Sequence, residues 1–461
     1  MSLHLVILAA GNGTRMRSST PKVLHKLAGK PMLERVLDTA EALKPDGIHV
    51  IIGYEGERLQ QAFQDRPVNW VWQNEQLGTG HAVMQALPHI PDDARVLVLS
   101  ADVPLIQLEL LQAMVAQAKP SSPSRQAPLA LLLAFLPNPT GLGRIIRDVN
   151  GRICRVIEEK DATEAQRAIK EVYSGTCCAA ASDLAVWLPK LSDSNVQKEY
   201  YLTDIMGMAA EENCPITCVH APASWMIQGV NDRAQLEGLE RVWQEQRATE
   251  LLMSGVMLAD KSRIDIRGEL TCGQDVYLEP NIIFEGKVHI GKNCRIGANC
   301  VLTNVTLGDN TVIEAHSVLD DCVIGEFCKI GPFARIRPGT VLGDRCKIGN
   351  FVETKKAVFD SDSQASHLSY LGDVTIGQKV NIGAGTITCN YDGVNKHQTV
   401  IEDGAFIGSD TQLVAPVTVG KNATIGAGSS IRKSVPAGGL TLTISKQHTL
   451  SDWMRPVKKV E

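Results

Sequence analysis

A six-residue period in the second half of the sequence constrains the fold more than any other feature. An aliphatic residue followed by glycine or a charged residue recurs every six positions, and gaps of eleven or twelve correspond to two units. One hexad is too short for a helical repeat and fits one flat strand and a turn, so three hexads predict one triangular coil of a β-solenoid. The repeated pairs begin at Ile290, Ile296, Leu307, Ile313, Ile324, Ile330, Ile336, Leu342, Ile348, Ile376, Ile382, Ile401, Ile407, Val419 and Ile425.

In such a coil the aliphatic side chain points inward and the glycine occupies the turn. Stacked coils bury a continuous core, which agrees with an aromatic content of only 5%. Two segments break the period, Lys355 to Tyr370 and Thr388 to Val400. We expect both to leave the solenoid as loops, which is where function concentrates on a rigid scaffold.

The twelve cysteines are scattered along the chain without a CxxC pair, so zinc and redox motifs are unsupported. Cys294, Cys300, Cys328 and Cys346 each follow a repeat aliphatic by four residues. We interpret these four as small buried hydrophobic residues.

The first half of the chain alternates short apolar runs with helical patterns, which predicts a parallel sheet covered by helices. Ligands of such sheets bind beyond the carboxyl ends of the strands, so the glycine-rich loop after Ala10 and the turn at Asp102 should face one cleft. A proline-free segment with apolar residues at spacings of three and four predicts a long helix between the halves. These features divide the chain into a first domain at 1–231, a linker helix at 232–257, and a solenoid domain with a C-terminal tail at 258–461.

The composition limits which binding partners are expected. With 44% hydrophobic and 21% charged residues, the chain should fold without a partner. Its net charge of −5 excludes the overall basic field that holds nucleic acid. The apolar run Leu3 to Ala10 lacks a basic leader, and the longest uncharged run, near Ala127 to Pro139, is too short to span a bilayer. We therefore expect a cytoplasmic protein without nucleic acid binding or membrane insertion.

The loop after Ala10 has the composition of a phosphate-binding site. Gly11 and Gly13 let the backbone approach a ligand, and Arg15 and Lys22 supply positive charge. Met16 stands where a dinucleotide fingerprint needs its third glycine, and no GxxxxGK[ST] loop exists in the sequence. A bare turn with two surface cations is the alternative interpretation.

Asp102 follows an apolar strand and precedes Pro104 by two residues, so its carboxylate should lie at a strand end near the same cleft. A hard oxygen ligand there suits Mg²⁺, which takes one or two carboxylates together with substrate phosphates. A turn-capping role for Asp102 is equally open. Asn231 is either a second metal ligand or the cap of the long helix.

Motifs in both halves resemble one bacterial family, the bifunctional N-acetylglucosamine-1-phosphate uridyltransferases and glucosamine-1-phosphate acetyltransferases. The resemblance covers nearly the whole chain in order. The first half contains LAAGNGTRM with a following PK, Gln73 with LGTGHA, Asp102 with its proline, PTGLGRI, Glu158 with KDA, YYLTDI and GVN. The second half contains GPFARIRPG, GNFVETKKA, SHLSYLGD, NIGAGTITCNYDG, NKHQT and FIGSDTQLVAPV.

The resemblance implies a Rossmann-like, mostly parallel α/β nucleotidyltransferase domain, joined by a long helix to a left-handed parallel β-helix of hexapeptide repeats. It implies acetylation of glucosamine-1-phosphate by acetyl-CoA, then uridylyl transfer from UTP to the N-acetylated product with release of diphosphate. Mg²⁺ is the implied cofactor, and peptidoglycan and lipopolysaccharide synthesis are the implied pathways. A homotrimer is implied too, because similar acetyltransferases build their sites between subunits and a triangular solenoid has three flat faces.

For uridylyl transfer the resemblance assigns roles in one cleft. It implies that Arg15 and Lys22 stabilise the triphosphate, that Asp102 and Asn231 hold Mg²⁺, and that the remaining residues contact the nucleotide or the sugar. Those contacts are Leu8, Gly11 and Gly13 along the loop, Gln73, Gly78 and Thr79 at the uracil, and Gly143 and Glu158 at the sugar.

For acetyl transfer the resemblance implies that His367 is the general base, since a near-neutral imidazole can accept a proton from the sugar amine. It implies that the Ala384 N–H donates to the oxyanion. The sugar phosphate would be held by Arg337, Lys355, Tyr370, Asn381 and Lys396, and the acetyl-CoA by Ala384, Asn390, Tyr391, Ser409, Ala427 and Lys446.

Several positions depart from the family pattern. Ser100-Ala101 replaces Tyr-Gly, Tyr173-Ser174 replaces Asn-Thr, Asn12 stands where Lys is common, and Lys446 stands where Arg is usual. A nucleotidyltransferase for another sugar phosphate, with a different amine acceptor, is one alternative. The other is a β-helix that only trimerises; the cluster of Lys355, His367, Tyr370, Asn390 and Lys396 argues against it, because a scaffold needs no such base and cations.

Overall fold

The computed structural model describes residues 2–120, 126–444, 446–456 and 458. The chain divides into two compact units, Met1–Trp243 and Gln244–Glu461, which we describe separately. In the described part of the chain, no helix is long and apolar enough to cross a membrane.

The first unit alternates strands and helices. Its strands are β1 (Leu3–Leu8), β2 (Lys26–Leu27), β3 (Lys30–Pro31), β4 (Gly47–Ile52), β5 (Asn69–Trp72), β6 (Arg95–Ser100), β7 (Leu129–Phe135), β8 (Gly143–Arg147), β9 (Ile153–Ile157), β10 (Glu171–Ala180) and β11 (Ile216–His220). Its helices are α1 (Met32–Ala42), α2 (Gly56–Ala62), α3 (Thr79–Ala86), α4 (Leu108–Gln117), α5 (Glu164–Arg167), α6 (Ala181–Trp187), α7 (Asp204–Glu211) and the start of α8 (Arg233–Met253).

The main sheet has the order β11-β7-β10-β6-β1-β4-β5, with β8 and β9 attached at β10. Neighbours are parallel except at β10 and in the β8–β9 hairpin, which confirms the mostly parallel prediction. Alternate residues of each strand enter two cores: Leu5 and Leu97 pack on the side of α1 and α4, and Val6 and Val98 on the side of α3 and α6. Both faces of the sheet are therefore covered by helices.

The helix predicted from Asp232 to Met257 runs from Arg233 to Met253 as α8. The Asp232 carboxylate accepts a hydrogen bond from the Gln235 N–H at 2.9 Å, so Asp232 caps the helix and Asn231 does not. In the second unit, the side chain of Gln244 exchanges two hydrogen bonds with the backbone of Ile266, at 2.8 and 2.9 Å. The second half of α8 thus contacts the first coil of the solenoid through Gln244.

The second unit consists of short strands. They are β12 (Met257–Leu258), β13 (Ile264–Cys272), β14 (Tyr277–Leu278), β15 (Ile282–Ile290), β16 (Arg295–Ile296), β17 (Val301–Leu307), β18 (Val312–Ile313), β19 (Val318–Ile324), β20 (Lys329–Ile330), β21 (Arg335–Ile336), β22 (Thr340–Leu342), β23 (Lys347–Asn350), β24 (Glu353–Phe359), β25 (Gln364–His367), β26 (Tyr370–Ile376), β27 (Asn381–Ile382), β28 (Ile387–Cys389), β29 (Thr399–Ile401), β30 (Phe406–Ile407), β31 (Gln412–Val414), β32 (Val417–Val419), β33 (Thr424–Ile425), β34 (Ser430–Ile431) and β35 (Leu440–Thr441).

These strands stack in parallel on three faces. One face is the ladder from β12 to β35, and the longer strands bend around a corner, so that β19 pairs with both β21 and β22. Successive coils are 17 or 18 residues apart, as from Ile283 to Val301 and from Val301 to Val318. Three hexads therefore form one coil, and the predicted parallel β-helix is confirmed.

The prediction that Lys355 to Tyr370 leaves the solenoid is wrong. Its strands continue the ladder, because β24 pairs with β26 and β25 pairs with β27 in the ordinary spacing. The interior positions are filled by Phe359, Ala365 and Leu371, all buried, in place of the repeated aliphatic–glycine pair. Only the second interruption is a true loop, since Ile376 pairs with Ile401, 25 residues away.

The repeat glycines are required by coil packing. A Cβ on Gly349 would lie 1.9 Å from the Ser366 carbonyl oxygen, so no side chain fits there. The left-handed backbone conformation falls instead on the residue two positions later, usually Asn or another non-glycine residue such as Phe351 (φ 56°). Glycine therefore lies at the turn as predicted, and the reason is the close approach of the neighbouring coil.

The four repeat cysteines are buried, as predicted. Their thiols also donate hydrogen bonds across the coils: Cys328 Sγ lies 3.1 Å from the Gly343 carbonyl oxygen and Cys346 Sγ lies 3.2 Å from that of Asp360. Thr311 and Ser363 make the same bond with hydroxyl groups at equivalent corners. These corner positions thus favour a small side chain with a donor, which explains why Cys, Thr and Ser alternate there.

Candidate active sites

The first candidate site is a cleft at the carboxyl ends of β1 and β6. The predicted nucleotide residues Leu8, Gly11 and Lys22 line it together with the predicted metal ligand Asp102 and the loop that precedes α3. This is the edge where a parallel sheet of this kind binds its ligands. The whole lining is Leu8, Ala9, Ala10, Gly11, Lys22, Val23, Gln73, Gln76, Gly78, Thr79, Ala82, Ser100, Asp102 and Glu199.

Two cations and two oxygen ligands meet at the edge of this cleft, where Lys22 and Asp102 belong to its lining and Arg15 and Asn231 lie beside it. The Lys22 ammonium forms an ion pair with Asp102 Oδ2 and lies 3.4 Å from Asn231 Oδ1. Arg15 donates to the same Asn231 oxygen at 2.9 Å, and the Ser100 hydroxyl donates to Asp102 Oδ1 at 2.7 Å. In the described residues the Asp102 carboxylate accepts no backbone N–H, which argues against a turn-capping role.

The oxygen pair fits a magnesium ion. Asp102 Oδ2 and Asn231 Oδ1 both face one point, which the positive Lys22 ammonium occupies in this structure. Carboxylate and amide oxygens are suitable ligands for Mg²⁺, which completes its shell with water and substrate phosphates. The described residues contain no group of three or more His, Cys, Asp or Glu that could hold a metal, so phosphate oxygens would have to complete the site.

Gly13 allows Lys22 to approach the loop. A Cβ at Gly13, whose φ is +57°, would lie 2.6 Å from the Lys22 Cβ. A side chain at this position would therefore clash with the Lys22 side chain. No atom lies within 4 Å of a Cβ built at Gly11, so that glycine faces open space in the cleft.

The start of α3 forms the other wall. Gln73 is 3% exposed, and its Nε2 donates to the Gly78 carbonyl oxygen at 3.1 Å. Gly78 has a φ of +113°, and a Cβ there would lie 2.6 Å from the Tyr200 carbonyl oxygen. The Thr79 hydroxyl accepts from the Leu202 N–H at 3.1 Å. The predicted uracil residues are therefore held in one rigid corner.

The two predicted sugar residues lie together, but outside that lining. A Cβ on Gly143 would lie 3.7 Å from Glu158 Oε1, which itself accepts from the Thr203 hydroxyl at 3.1 Å. Burial raises the pKa of Glu158 above its usual range. Glu158 lines a neighbouring pocket with Asp161, Asn195, Tyr201, Thr203 and Asp204. Tyr173, one of the departures from the family pattern, pairs with Gly143 across β10 and β8 and is buried.

The second candidate site lies at one corner of the β-helix. Asn350 pairs with His367, and the register of β25, β27, β30 and β33 continues the same position through Ala384, Ser409 and Ala427. Neighbouring coils are about 4.8 Å apart, so these residues form one ladder. The structure thus places the predicted base beside the predicted oxyanion donor. Within the described residues, the Ala384 N–H makes no hydrogen bond.

Three predicted phosphate-binding cations lie near one another on the adjacent face. Lys396 lowers the pKa of Lys355 through direct contact and charge repulsion, and Arg337 lowers it further. Arg337 also forms a 2.6 Å ion pair with Glu353. Like charges in one place are unfavourable without a counterion, so this cluster is suited to an anionic ligand.

Tyr370 and Asn390 meet above Gly372 in the strand next to Lys355. A Cβ at Gly372 would lie 2.4 Å from the Tyr370 hydroxyl oxygen and 2.9 Å from Asn390 Nδ2. Asn390 donates to Asp373 Oδ2 at 2.5 Å and is buried. Asn381 lies on another face, where its Oδ1 accepts from Gln364 Nε2 at 2.9 Å, so this chain alone does not bring it to the cations.

The loop after β28 is held in a tight hairpin. The Asp392 carboxylate accepts from the Val394 and Asn395 N–H groups and contacts His397 Nε2 at 2.7 Å. These bonds hold the pKa of Asp392 well below its usual range. Tyr391 is 60% exposed on this hairpin. Lys446 lies in the exposed tail, without an ion pair among the described residues.

Several residues at these sites are not among those predicted from the sequence. Gln76 and Glu199 line the first cleft, Ser100 holds Asp102, and Asn350 contacts His367. The hexad period contained a usable signal only for Asn350, because a residue one coil before His367 must lie beside it. Gln76 and Ser100 lie close in sequence to Gln73 and Asp102 but belong to no motif that marks them, and Glu199 comes from a distant segment.

Comparisons with known proteins match three separate segments of the chain to family models. Residues 5–130 match the MobA-like NTP transferase domain, 266–359 match the GMPPB C-terminal domain, and 398–433 match the bacterial transferase hexapeptide of six repeats. "Bifunctional protein GlmU" of Legionella pneumophila strain Philadelphia 1 is 61% identical over 459 residues, covering 100% of this chain and 99% of that protein. The proteins of the same name from Marinobacter nauticus and Ralstonia nicotianae are 52% and 49% identical, each over 99% of both chains.

Proposed function

The chain belongs to the family of bifunctional GlmU proteins, and we propose how its residues divide the two reactions between two sites. It is an N-acetylglucosamine-1-phosphate uridyltransferase and a glucosamine-1-phosphate N-acetyltransferase. The first unit carries the uridyltransferase, and the β-helix carries the acetyltransferase. We propose the domain limits 1–231, 232–257 and 258–461 for this division.

In the first cleft, the sugar phosphate oxygen attacks the α-phosphorus of UTP, a new P–O bond forms, and diphosphate leaves. Reactions of this type need positioning and charge neutralisation more than a covalent protein group. Arg15 and Lys22 would bind the triphosphate, because both contact the Asn231 side-chain oxygen at the cleft edge. Asp102 and Asn231 would hold Mg²⁺, which supplies charge neutralisation at the phosphates when bound.

The rigid corner before α3 would select the base. Gln73, Gly78 and Thr79 are fixed by hydrogen bonds to their own wall, and Leu8, Gly11 and Gly13 keep the loop close to the nucleotide. Gly143 and Glu158 would contact the sugar from the adjoining pocket. The raised pKa of Glu158 reflects burial that a sugar hydroxyl or amide donor would compensate.

At the β-helix corner, the amine of glucosamine-1-phosphate attacks the thioester carbon of acetyl-CoA. His367 takes the amine proton as the C–N bond forms, the Ala384 N–H donates to the oxyanion, and the C–S bond then breaks. The leaving thiolate of CoA recovers a proton from the imidazolium. The neighbouring position of His367 and the free Ala384 N–H is the observation that carries this proposal.

The remaining residues of this site would hold the two substrates. Arg337, Lys355 and Lys396 form the cationic cluster for the sugar phosphate, with Tyr370 beside it and Asn381 as a further contact. The acetyl-CoA would lie along the Ala384, Ser409 and Ala427 ladder. Asn390, Tyr391 and Lys446 complete the set of proposed acetyl-CoA contacts.

We further propose a homotrimer. An exposed apolar column follows the same corner, with the rings of His316 and Phe333 at 4.8 Å and those of Phe333 and Phe351 at 5.5 Å. Leu368, 60% exposed, continues it next to His367. A column of this kind on a soluble enzyme is typical of a protein interface. Closed three-fold symmetry would cover it and bring Asn381 of one copy toward the cations of another.

The cytoplasm is the proposed location. All twelve cysteines are free, which agrees with a reducing compartment. UTP and acetyl-CoA are also metabolites of that compartment.

A product assay tests the two activities together. The protein is incubated with glucosamine-1-phosphate, acetyl-CoA, UTP and Mg²⁺, and products are identified by mass spectrometry with each component omitted in turn. UDP-N-acetylglucosamine should appear only in the full mixture. Without UTP, N-acetylglucosamine-1-phosphate should accumulate. A nucleotide sugar formed without acetyl-CoA would contradict the proposed acceptor.

A further inference from the structure

The imidazole of His367 has one side-chain partner in the described residues. Its Nδ1 lies 2.9 Å from Asn350 Oδ1, on the preceding coil, and Nε2 has no hydrogen-bond partner there. An amide oxygen can only accept, so the ring must carry its proton on Nδ1 in this arrangement. The lone pair of Nε2 is then free to accept a proton from a substrate.

The β-helix itself sets this contact. Asn350 ends β23 and His367 ends β25, and the two residues are paired in the ladder. The Leu368 N–H donates to the Asn350 carbonyl oxygen at 3.1 Å, and the Ser369 hydroxyl donates to the His367 carbonyl oxygen at 2.9 Å. The backbones at both ends of the contact are therefore fixed. His367 is exposed, so without Asn350 its ring could rotate freely.

We propose that Asn350 is a positioning residue for acetyl transfer: its amide oxygen holds His367 in the Nδ1–H tautomer and aims Nε2 at the amine. This inference rests on the proposed role of His367 as the base. The partner of one ring nitrogen decides which tautomer a histidine adopts, and only the Nδ1–H form offers Nε2 as an acceptor. The opposite orientation of the Asn350 amide would leave a proton on Nε2 and no base facing the substrate.

Two substitutions of Asn350 separate the effect of its amide oxygen from the effect of its side-chain size. Asn350→Leu keeps the side-chain size and removes the acceptor, whereas Asn350→Asp keeps an acceptor and adds a negative charge. We expect N350L to lower kcat for acetyl transfer about 10–100-fold, as loss of an orienting partner does at other sites, with little change in KM for glucosamine-1-phosphate. N350D should retain much of the activity, and its pH profile should shift upward because a carboxylate stabilises the imidazolium.

The tautomer is measured directly by NMR of the full chain labelled with ¹⁵N-histidine, with His367→Ala used to assign the signal. Wild type and N350D should show the proton on Nδ1, and N350L should show a mixture. Uridyltransferase activity of each variant serves as the internal control for folding, since Asn350 lies in the other unit.

Two results would overturn the inference alone: an Nε2–H tautomer in the wild type, or N350L with wild-type kcat while His367→Ala is inactive. Wild-type acetyl transfer by His367→Ala would instead overturn the proposed base itself, and the inference with it. The two failures are therefore distinguishable.

Discussion

A buried histidine pair should make the first unit sensitive to mild acid. His4 Nδ1 and His49 Nε2 lie 3.1 Å apart at the start of β1 and β4, and His49 is 1% exposed. Burial, then the neighbouring His4 and His89, lower the pKa of His49 from 6.5 to about 4. Its Nδ1 has no partner in the described residues, so a second proton on this ring would be buried without an acceptor.

The direction and size of the effect follow from that shift. Below pH 6.5 the unfolded chain binds a proton at His49 that the folded protein refuses until about pH 4, so stability falls as the pH drops through this range. Each pKa unit corresponds to about 1.4 kcal/mol. The total is about 3 kcal/mol, of which about 2 kcal/mol should be lost by pH 5.

Urea unfolding at pH 7.5 and pH 5 measures this loss. Five of the six tryptophans, Trp70, Trp72, Trp187, Trp225 and Trp243, lie in the first unit, so tryptophan fluorescence reports its transition. His49→Gln should lose less stability between the two pH values than the wild type. His89→Gln, an exposed neighbour of His49, is the matched control and should keep most of the loss, because burial is the largest cause of the shift. Equal pH dependence in the wild type and His49→Gln would refute the reasoning.

Three further predictions concern the proposed sites. His367→Ala should slow acetyl transfer by about 10²–10⁴, the usual contribution of a general base, and leave UTP turnover unchanged; equal loss of both activities would indicate misfolding. Asp102→Asn, which keeps the side-chain size, should slow diphosphate release at least about a hundredfold with acetyl transfer intact, and normal diphosphate release would remove Asp102 from the site. Light scattering at micromolar concentration should give three times the 49.9 kDa chain mass, and a monomeric mass would contradict the trimer.

The candidate sites could be predicted only in part from the sequence. The resemblance supplied the residues of both sites, and the structure gathers Leu8, Lys22, Gln73 and Asp102 around one cleft. In the β-helix, one predicted residue stays apart from its site, since Asn381 lies on another face than Lys355. Two open alternatives were decided by contacts: Asp232, and not Asn231, caps α8, and Asp102 pairs with Lys22 instead of capping a turn.

Both architectures could be predicted from the amino-acid pattern, because both are periodic. A six-residue repeat leaves room for one strand and one corner, and alternating apolar runs and helical patterns leave room for a covered parallel sheet. The hexad pattern failed to predict the strands at Lys355 to Tyr370, since Phe359, Ala365 and Leu371 fill the same interior positions without the repeated aliphatic–glycine pair. An interior position selects for volume and burial, which several residue types satisfy.

Contacts between groups that are far apart in the sequence could be assigned only from the folded chain. Lys22 on Asp102, Arg15 on Asn231 and His4 on His49 are contacts between segments that no short-range pattern connects. Each depends on where the packed fold brings two distant segments and on the side-chain rotamers there. Periodicity predicts on which face of a strand or helix a residue lies. A hydrogen bond, however, depends on differences in distance smaller than the spacing between neighbouring residues, and the packed fold sets those distances.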